Sequence, residues 1–307
     1  MNASLPTSLS LRARLCRKVV RLTLGPIFSN PDITVEVRRK KLGQLTRLMA
    51  LLPPGGVTID PARVGGIPGE WITPKAETQG VVLYLHGGAY VVGTPVTFRA
   101  LNAQIAREAQ VRVCVIDYRL APEFPCPAAI DDALAAYRAL LEQVPASRIV
   151  VGGDSAGGGL AMALLLAIRE AGLAMPSGAF LISPWIDLRA TADSYTREAA
   201  RDPVLSAEVI RQAAQLYAGD LPLDDPRLSP VLGDLRGLPP LFIQSTEAEI
   251  LTDDSTALLE RAKAAEVSVT LESWPGLWHD WQLFCGKVPE ATQAVRHLAQ
   301  FVAASLK

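Results

Sequence analysis

The chain has 307 residues, 49% of them hydrophobic and 20% charged, and its 30 basic and 31 acidic side chains leave a formal net charge of −1. That length and apolar fraction suit one large, core-rich α/β domain, and the near-neutral balance argues against a nucleic-acid binder, whose footprint would be basic. Cys16, Cys114, Cys126 and Cys285 show neither metal-ligand spacing nor a disulfide framework, and three histidines without a His/Cys cluster give no metal site.

Residues 1 to about 55 read as helical, broken near Gly25-Pro26 and again at Pro53-Pro54. In the first helix Leu11, Leu15, Val19, Val20, Leu22 and Leu24 alternate with Arg12, Arg14, Arg17, Lys18 and Arg21. These basic residues interrupt any secretory h-region, and no stretch is long and uncharged enough to span a bilayer, so a cytoplasmic protein is expected. A basic amphipathic helix can lie on a membrane surface. The favoured reading instead packs its apolar stripe on the body of the protein, with no stable membrane association. A second helix is expected over about Asp32 to Leu52.

Short strand-like pieces follow at Gly56–Ile59 and Gly69–Ile72, with Gly/Pro-rich turns that suggest an antiparallel start to a sheet. Val81–Leu85 is a continuous apolar run, as a strand buried on both faces requires, and it leads into His86-Gly87-Gly88-Ala89-Tyr90. A helix over about Thr97 to Glu108, a strand at Val111–Ile116, the loop Asp117-Tyr118-Arg119-Leu120-Ala121-Pro122-Glu123 and a helix at Ala128–Leu141 come next.

Ile149 to Ala167 places a β-branched run, a Gly-flanked serine and an Ala/Leu helix in sequence. Gly153-Asp154-Ser155-Ala156-Gly157 therefore has the form of a nucleophile elbow, whose glycines let strand and helix close tightly around the serine. Ala179–Ser183 is another short buried strand. Residues 189–225 break the alternation with a polar stretch, a helix at Ala207–Tyr217 and turns, and read as an insertion over the sheet. Strand Leu241–Ser245, helix Asp253 to Ala265, strand Val267–Ser273 and a helix from about Glu290 to Ala304 complete the chain. Alternating strands and helices predict a mostly parallel sheet covered by helices on both faces, with ligands at the carboxyl ends of its strands.

A serine hydroxyl needs a base, and the base needs an orienting group. His86 lies between a strand and a Gly-Gly pair, and His297 lies within the last helix. His279, in the loop Leu277-Trp278-His279-Asp280-Trp281 after the last strand, is the expected base. The acid should fall between serine and histidine in the chain, in the stretch Thr246 to Asp254. Asp253 and Asp254 open a helix, where capping explains them. Glu249 lies in the loop itself and is the expected acid, with Asp253 as the alternative. Backbone N–H groups of Gly87, Gly88, Ala89 and Ala156 are the candidate oxyanion donors.

Taken together, His86-Gly87-Gly88-Ala89-Tyr90, Asp117 to Glu123, Gly153-Asp154-Ser155-Ala156-Gly157 and Ser183-Pro184-Trp185 with Asp187 resemble the hormone-sensitive lipase-like α/β-hydrolases. The chain looks like a bacterial family IV esterase of the Gly-Asp-Ser-Ala-Gly branch, from about residue 56 to the C-terminus. The resemblance implies an α/β-hydrolase fold, carboxylic ester hydrolysis by a Ser-His-Asp/Glu triad, no cofactor, and a helical cap from residues 1–55 and 189–225 over a core of 56–188 and 226–307. It also implies dimerisation through the last strand and helix in many relatives. Two departures stand out. The third glycine of His-Gly-Gly-Gly is Ala89 here, and the acid motif Asp-Pro-Leu is Glu249-Ile250-Leu251.

The expected reaction is two-step acyl transfer on Ser155, with short-to-medium acyl esters as small-molecule substrates. Tyr90, Trp185, Trp278 and Trp281 are the candidates to line the substrate pocket. A lactonase or amidase would use the same site, and a non-catalytic hydrolase-like binding protein is the rival from another class.

Overall fold

The computed structural model describes residue 5 and residues 8–50 and 54–307, so the break expected at Pro53-Pro54 lies partly outside the described residues. Helices α1 (Leu11–Thr23), α2 (Gly25–Phe28) and α3 (Val35–Ala50) come first. Ser10 caps α1 by accepting from the Ala13 N–H, and its own hydroxyl and N–H donate to Glu290. α1 lays only part of its expected apolar stripe on the body of the protein, with Val20 buried and Leu24 packed against the core. It buries small Ala13 together with Val20, while Leu11, Leu15, Val19 and Leu22 face solvent. Polar contacts tether the helix as well, including Arg17 donating to the Arg201 carbonyl at 2.6 Å.

Strands β1 (Val57–Val64) and β2 (Ile67–Pro74) form the antiparallel start of the sheet. There follow β3 (Val81–Leu85), α4 (Pro95–Ala109), β4 (Arg112–Ile116), α5 (Ala128–Leu141), β5 (Ile149–Asp154), α6 (Ala156–Glu170) and β6 (Gly178–Ile182). The insertion contributes α7 (Ser194–Arg197) and α8 (Ala207–Ala218), and β7 (Leu241–Thr246), α9 (Thr252–Ala264), β8 (Val269–Trp274) and α10 (Pro289–Ser305) end the fold.

The eight strands lie in the order β1-β2-β4-β3-β5-β6-β7-β8. β2 pairs antiparallel with β1 and β4, and every pairing from β4 through β8 is parallel. Both faces of the central strands are buried, which explains why their sequences are continuous apolar runs and not alternating ones. On one face Phe98, Leu101 and Ile105 of α4 and Val295, Leu298 and Val302 of α10 pack on Val82, Val113, Val150, Phe180 and Phe242. On the other, Ala133, Leu160, Leu164 and Leu258 from α5, α6 and α9 cover Leu83, Cys114, Val151, Leu181 and Ile243. This sandwich sets the carboxyl ends of β3, β5, β6, β7 and β8 in one row, and the loops that leave those ends carry the expected site residues.

Candidate active site

Ser155 joins β5 directly to α6 with φ 52° and ψ −122°, a conformation that side-chain-bearing residues seldom adopt. The turn is held from three sides. The Ser155 N–H donates to the Ile182 carbonyl at 2.8 Å, and its carbonyl accepts from Trp185 at 2.9 Å and Gly158 at 3.0 Å. A Cβ at Gly157 would meet the Leu85 and His86 carbonyls, and one at Gly153 would meet the Gly157 and Leu85 backbone. Both glycines are there because strand and helix approach too closely for any side chain.

The loop after β3 passes beside this turn. Ala89 and Tyr90 are both left-handed, at φ 53° and 62°, and Gly88 has φ 124°. The Gly87 N–H does not point at the serine: it donates at 3.0 Å to Asp154 Oδ1, which also accepts from the Tyr84 hydroxyl at 2.6 Å. Gly87 is therefore removed from the expected oxyanion donors, and Gly88, Ala89 and Ala156 remain. Asp154 is what fixes the loop, a buried carboxyl that ties the end of β5 to the start of the Gly-Gly turn.

The three histidines separate clearly. His86 is fully buried, stacked on Tyr118 at 4.4 Å, and burial lowers its pKa to about 4. His297 faces Glu272 at 2.8 Å. His279 places Nδ1 2.6 Å from Glu249 Oε2, with both residues buried. The other Glu249 oxygen, Oε1, accepts from Ser183 Oγ at 2.9 Å and from the Thr246 N–H at 3.1 Å. The loop that carries Glu249 is pinned from the insertion by Asp202, which accepts the Ile250 N–H at 3.0 Å. Asp253 is excluded as the histidine's partner, because it caps Ser194 of α7 and pairs with Arg197 at 2.7 Å. Asp254 is likewise occupied by the Ile186 and Asp187 N–H groups.

One acidic neighbour escaped the sequence reading. Asp280, left-handed at φ 57°, sets Oδ2 3.1 Å from His279 Nε2, the nitrogen opposite the one that meets Glu249. Burial alone depresses the imidazole, but Asp280 and then Glu249 reverse the effect, and His279 ends well above the ordinary histidine value. Burial, reinforced by Asp280, raises the Asp154 carboxyl well above the ordinary range.

Tyr90 stacks face to face on Tyr217 of α8 at 3.7 Å, and Trp185 lies beside it at 5.9 Å with its indole N–H on the Asp187 carbonyl. Trp278 packs on Phe284 at 5.3 Å and Trp281 on Trp274 at 6.0 Å. All four are buried, since large aromatic surfaces gain most from complete packing. A cavity of about 470 Å³ opens between α2, α3, α8 and the loop after β3. Phe28, Ile33, Val35, Val209 and Leu216 form its apolar walls, and Ala89 is the expected site residue that borders it. A cavity of about 560 Å³ between α3 and the loop 117–124 contains none of the expected residues.

A serine on such an elbow, at the centre of a mostly parallel sheet, defines the α/β-hydrolase class, and the family model described as the alpha/beta hydrolase fold matches residues 82–283. An acetyl-hydrolase of Streptomyces hygroscopicus is 41% identical over 252 residues, covering 82% of this chain and 83% of that protein. An esterase of Acinetobacter venetianus is 39% identical over 275 residues, covering 89% of this chain and 90% of its own. The crystal structure of an esterase from the bacterial hormone-sensitive lipase family superposes with a TM-score of 0.91 at 39% identity, over 98% of this chain and 100% of that one. The chain belongs to the α/β-hydrolase family, in its hormone-sensitive lipase-like branch.

Proposed function

We propose that this protein hydrolyses carboxylic esters of short-to-medium acyl chain length through an acyl-enzyme on Ser155. The observation that carries the proposal is the 2.6 Å contact between His279 Nδ1 and the doubly anchored carboxylate of Glu249, on loops beside the strained serine turn. Glu249 holds the imidazole with its proton on Nδ1; Nε2, which rests 3.1 Å from Asp280 Oδ2, takes the Ser155 proton once it has given up its own and turned from Asp280 to Oγ, which attacks the ester carbonyl. The carbonyl oxygen then gathers negative charge against the N–H groups of Gly88, Ala89 and Ala156, at the positive end of α6. His279 returns its proton to the leaving alcohol, and water releases the acid by the same route.

The cavity that Ala89 borders, which Ser155 and His279 do not line, supports this substrate range. Its volume of about 470 Å³ and its apolar walls, Phe28 among them, suit a small apolar ester group better than a long acyl chain. Similarity to an ethyl acetate hydrolase of Pseudomonas putida, 37% identical over 225 residues, points the same way. Residues 1–55 and 189–225 act as the cap and 56–188 with 226–307 as the core, since segments from both cap pieces wall the cavity that Ala89 borders. Among the described residues no helix is long and apolar enough to cross a membrane. The free thiols of all four cysteines fit a reducing cytoplasm. A second copy joined through β8 and α10 is the expected oligomer. The test of substrate range is a panel of p-nitrophenyl esters from acetate to palmitate. Turnover should fall from the short and medium chains to the long ones, and the reverse order overturns the assignment.

A further inference from the structure

Helix α1 exposes what amphipathic helices usually bury. Leu11, Leu15, Val19 and Leu22 are 76%, 65%, 55% and 77% exposed, and at 100° per residue they fall within one sector of the helix surface. Lys18 and Arg14 border that sector on one side and Arg12 on the other, all exposed. Their side chains make no hydrogen bond or ion pair among the described residues, and α1 contains no acidic residue. The opposite side is already committed to the fold through Ala13, Val20 and the Arg17 contact with the Arg201 carbonyl. An apolar sector rimmed by cations on a helix fixed along its other side is suited to a surface that is apolar within and anionic at its edge.

We propose that the solvent-facing side of α1 docks on an anionic lipid bilayer, with Leu11, Leu15, Val19 and Leu22 entering the acyl boundary and Arg12, Arg14 and Lys18 meeting the headgroup phosphates. The charge complementarity decides the occupant: a second copy of this helix would bring the same cations face to face, whereas anionic headgroups neutralise them. Leu24 ends α1 and begins α2 without a break, and Phe28 of α2 lines the cavity beside Ala89. Docking would thus set the cap wall of the cavity close to the membrane, where apolar esters concentrate. The inference stands on α1 alone and does not depend on the hydrolase reaction. It departs from the sequence expectation of no stable membrane association, which assumed a stripe folded inward.

Co-sedimentation with vesicles tests it, using the full chain and two double variants, Leu15→Ser with Leu22→Ser and Arg14→Gln with Lys18→Gln. The protein should sediment with phosphatidylglycerol-containing vesicles at low salt, stay in solution with phosphatidylcholine alone, and be released as salt shortens the Debye length toward about 3 Å. Each double variant should bind at least about tenfold more weakly, while hydrolysis of a water-soluble ester, which serves as the folding control, stays unchanged. Absence of vesicle binding, or equal binding by wild type and variants, overturns the proposal. So does a wild type that ignores vesicles but self-associates in light scattering through a contact the leucine variant abolishes.

Discussion

Replacing Glu249 by glutamine changes one atom, and the structure says which one. Oε1 accepts from both Ser183 Oγ and the Thr246 N–H, so a carbonyl oxygen fits there and an amide nitrogen does not. The side-chain NH₂ of the variant is therefore forced into the position of Oε2, 2.6 Å from His279 Nδ1. There it can only donate, so Nδ1 becomes the acceptor and the imidazole proton moves to Nε2. The base that should receive the Ser155 proton is then already protonated. A wrong tautomer in a serine triad lowers kcat by about 10⁴, or about 5 kcal/mol of transition-state stabilisation at about 1.4 kcal/mol per decade. Asp253→Asn makes the same chemical change at the rival carboxylate, but there it loosens a half-exposed pair with Arg197 and the cap on Ser194, neither of which touches His279. Its effect should stay within about threefold, because exposed ion pairs contribute about 1 kcal/mol or less. Steady-state kinetics with p-nitrophenyl butyrate separate the two. A Glu249→Gln enzyme with near-wild-type kcat, or a larger loss in Asp253→Asn, refutes the assignment.

Three further outcomes follow from the same contacts. Ser183→Ala removes one of the two donors that hold Glu249 Oε1, and should lower kcat about ten- to hundredfold with little change in KM, the scale of one hydrogen bond to a buried charge; a selective rise in KM contradicts a positioning role. Asp280→Asn should move the acid limb of the kcat/KM profile to lower pH, because the Asp280 charge helps hold His279 well above its ordinary value and an imidazolium cannot act as base. The same raised value means that protonated His279 stabilises the fold fully below the unfolded histidine pKa, and that this contribution fades as pH rises through the folded one. The Asp280→Asn protein should therefore lose stability mainly on the acid side, and an unmoved acid limb with an unchanged acid melting curve would count against the 3.1 Å contact. Gly157→Ala drives a methyl into the Leu85 and His86 carbonyls and should leave little soluble protein, or a fold destabilised by about 1–3 kcal/mol; a normal denaturation midpoint contradicts the close packing at the elbow.

Much of this architecture can be read in the chain because local and global preferences agree. Val81–Leu85 and Ile149–Val151 are uninterrupted apolar runs only because helices cover both faces of the sheet, so pattern and environment carry the same information. The two glycines around Ser155 are equally legible, since backbone crowding leaves no alternative. What the chain conceals depends on direction and on distant partners. Nothing local to Gly87 says that its N–H will meet Asp154 on a neighbouring strand. Likewise the Trp278-His279-Asp280-Trp281 run does not reveal that both indoles turn into the core while Asp280 turns back onto the histidine. The α1 stripe misleads for a related reason: its periodicity identifies an amphipathic helix but not which side meets the protein, and Ala13 with Val20 proved the closer fit. Ser183 and Asp202 lie far from Glu249 in sequence, and only the closed sheet and the insertion bring them to the acid loop.

The central claim is that Ser155 is the nucleophile and that His279 activates it. Intact-protein mass spectrometry after exposure to a fluorophosphonate, followed by peptide mapping, reads this directly. Wild type should gain a single phosphonyl adduct on the peptide carrying Ser155. Ser155→Ala should gain none and lose kcat by about 10⁴–10⁶, and His279→Ala should label far more slowly. Adduct formation at another residue, or near-wild-type ester turnover by Ser155→Ala, would contradict the account.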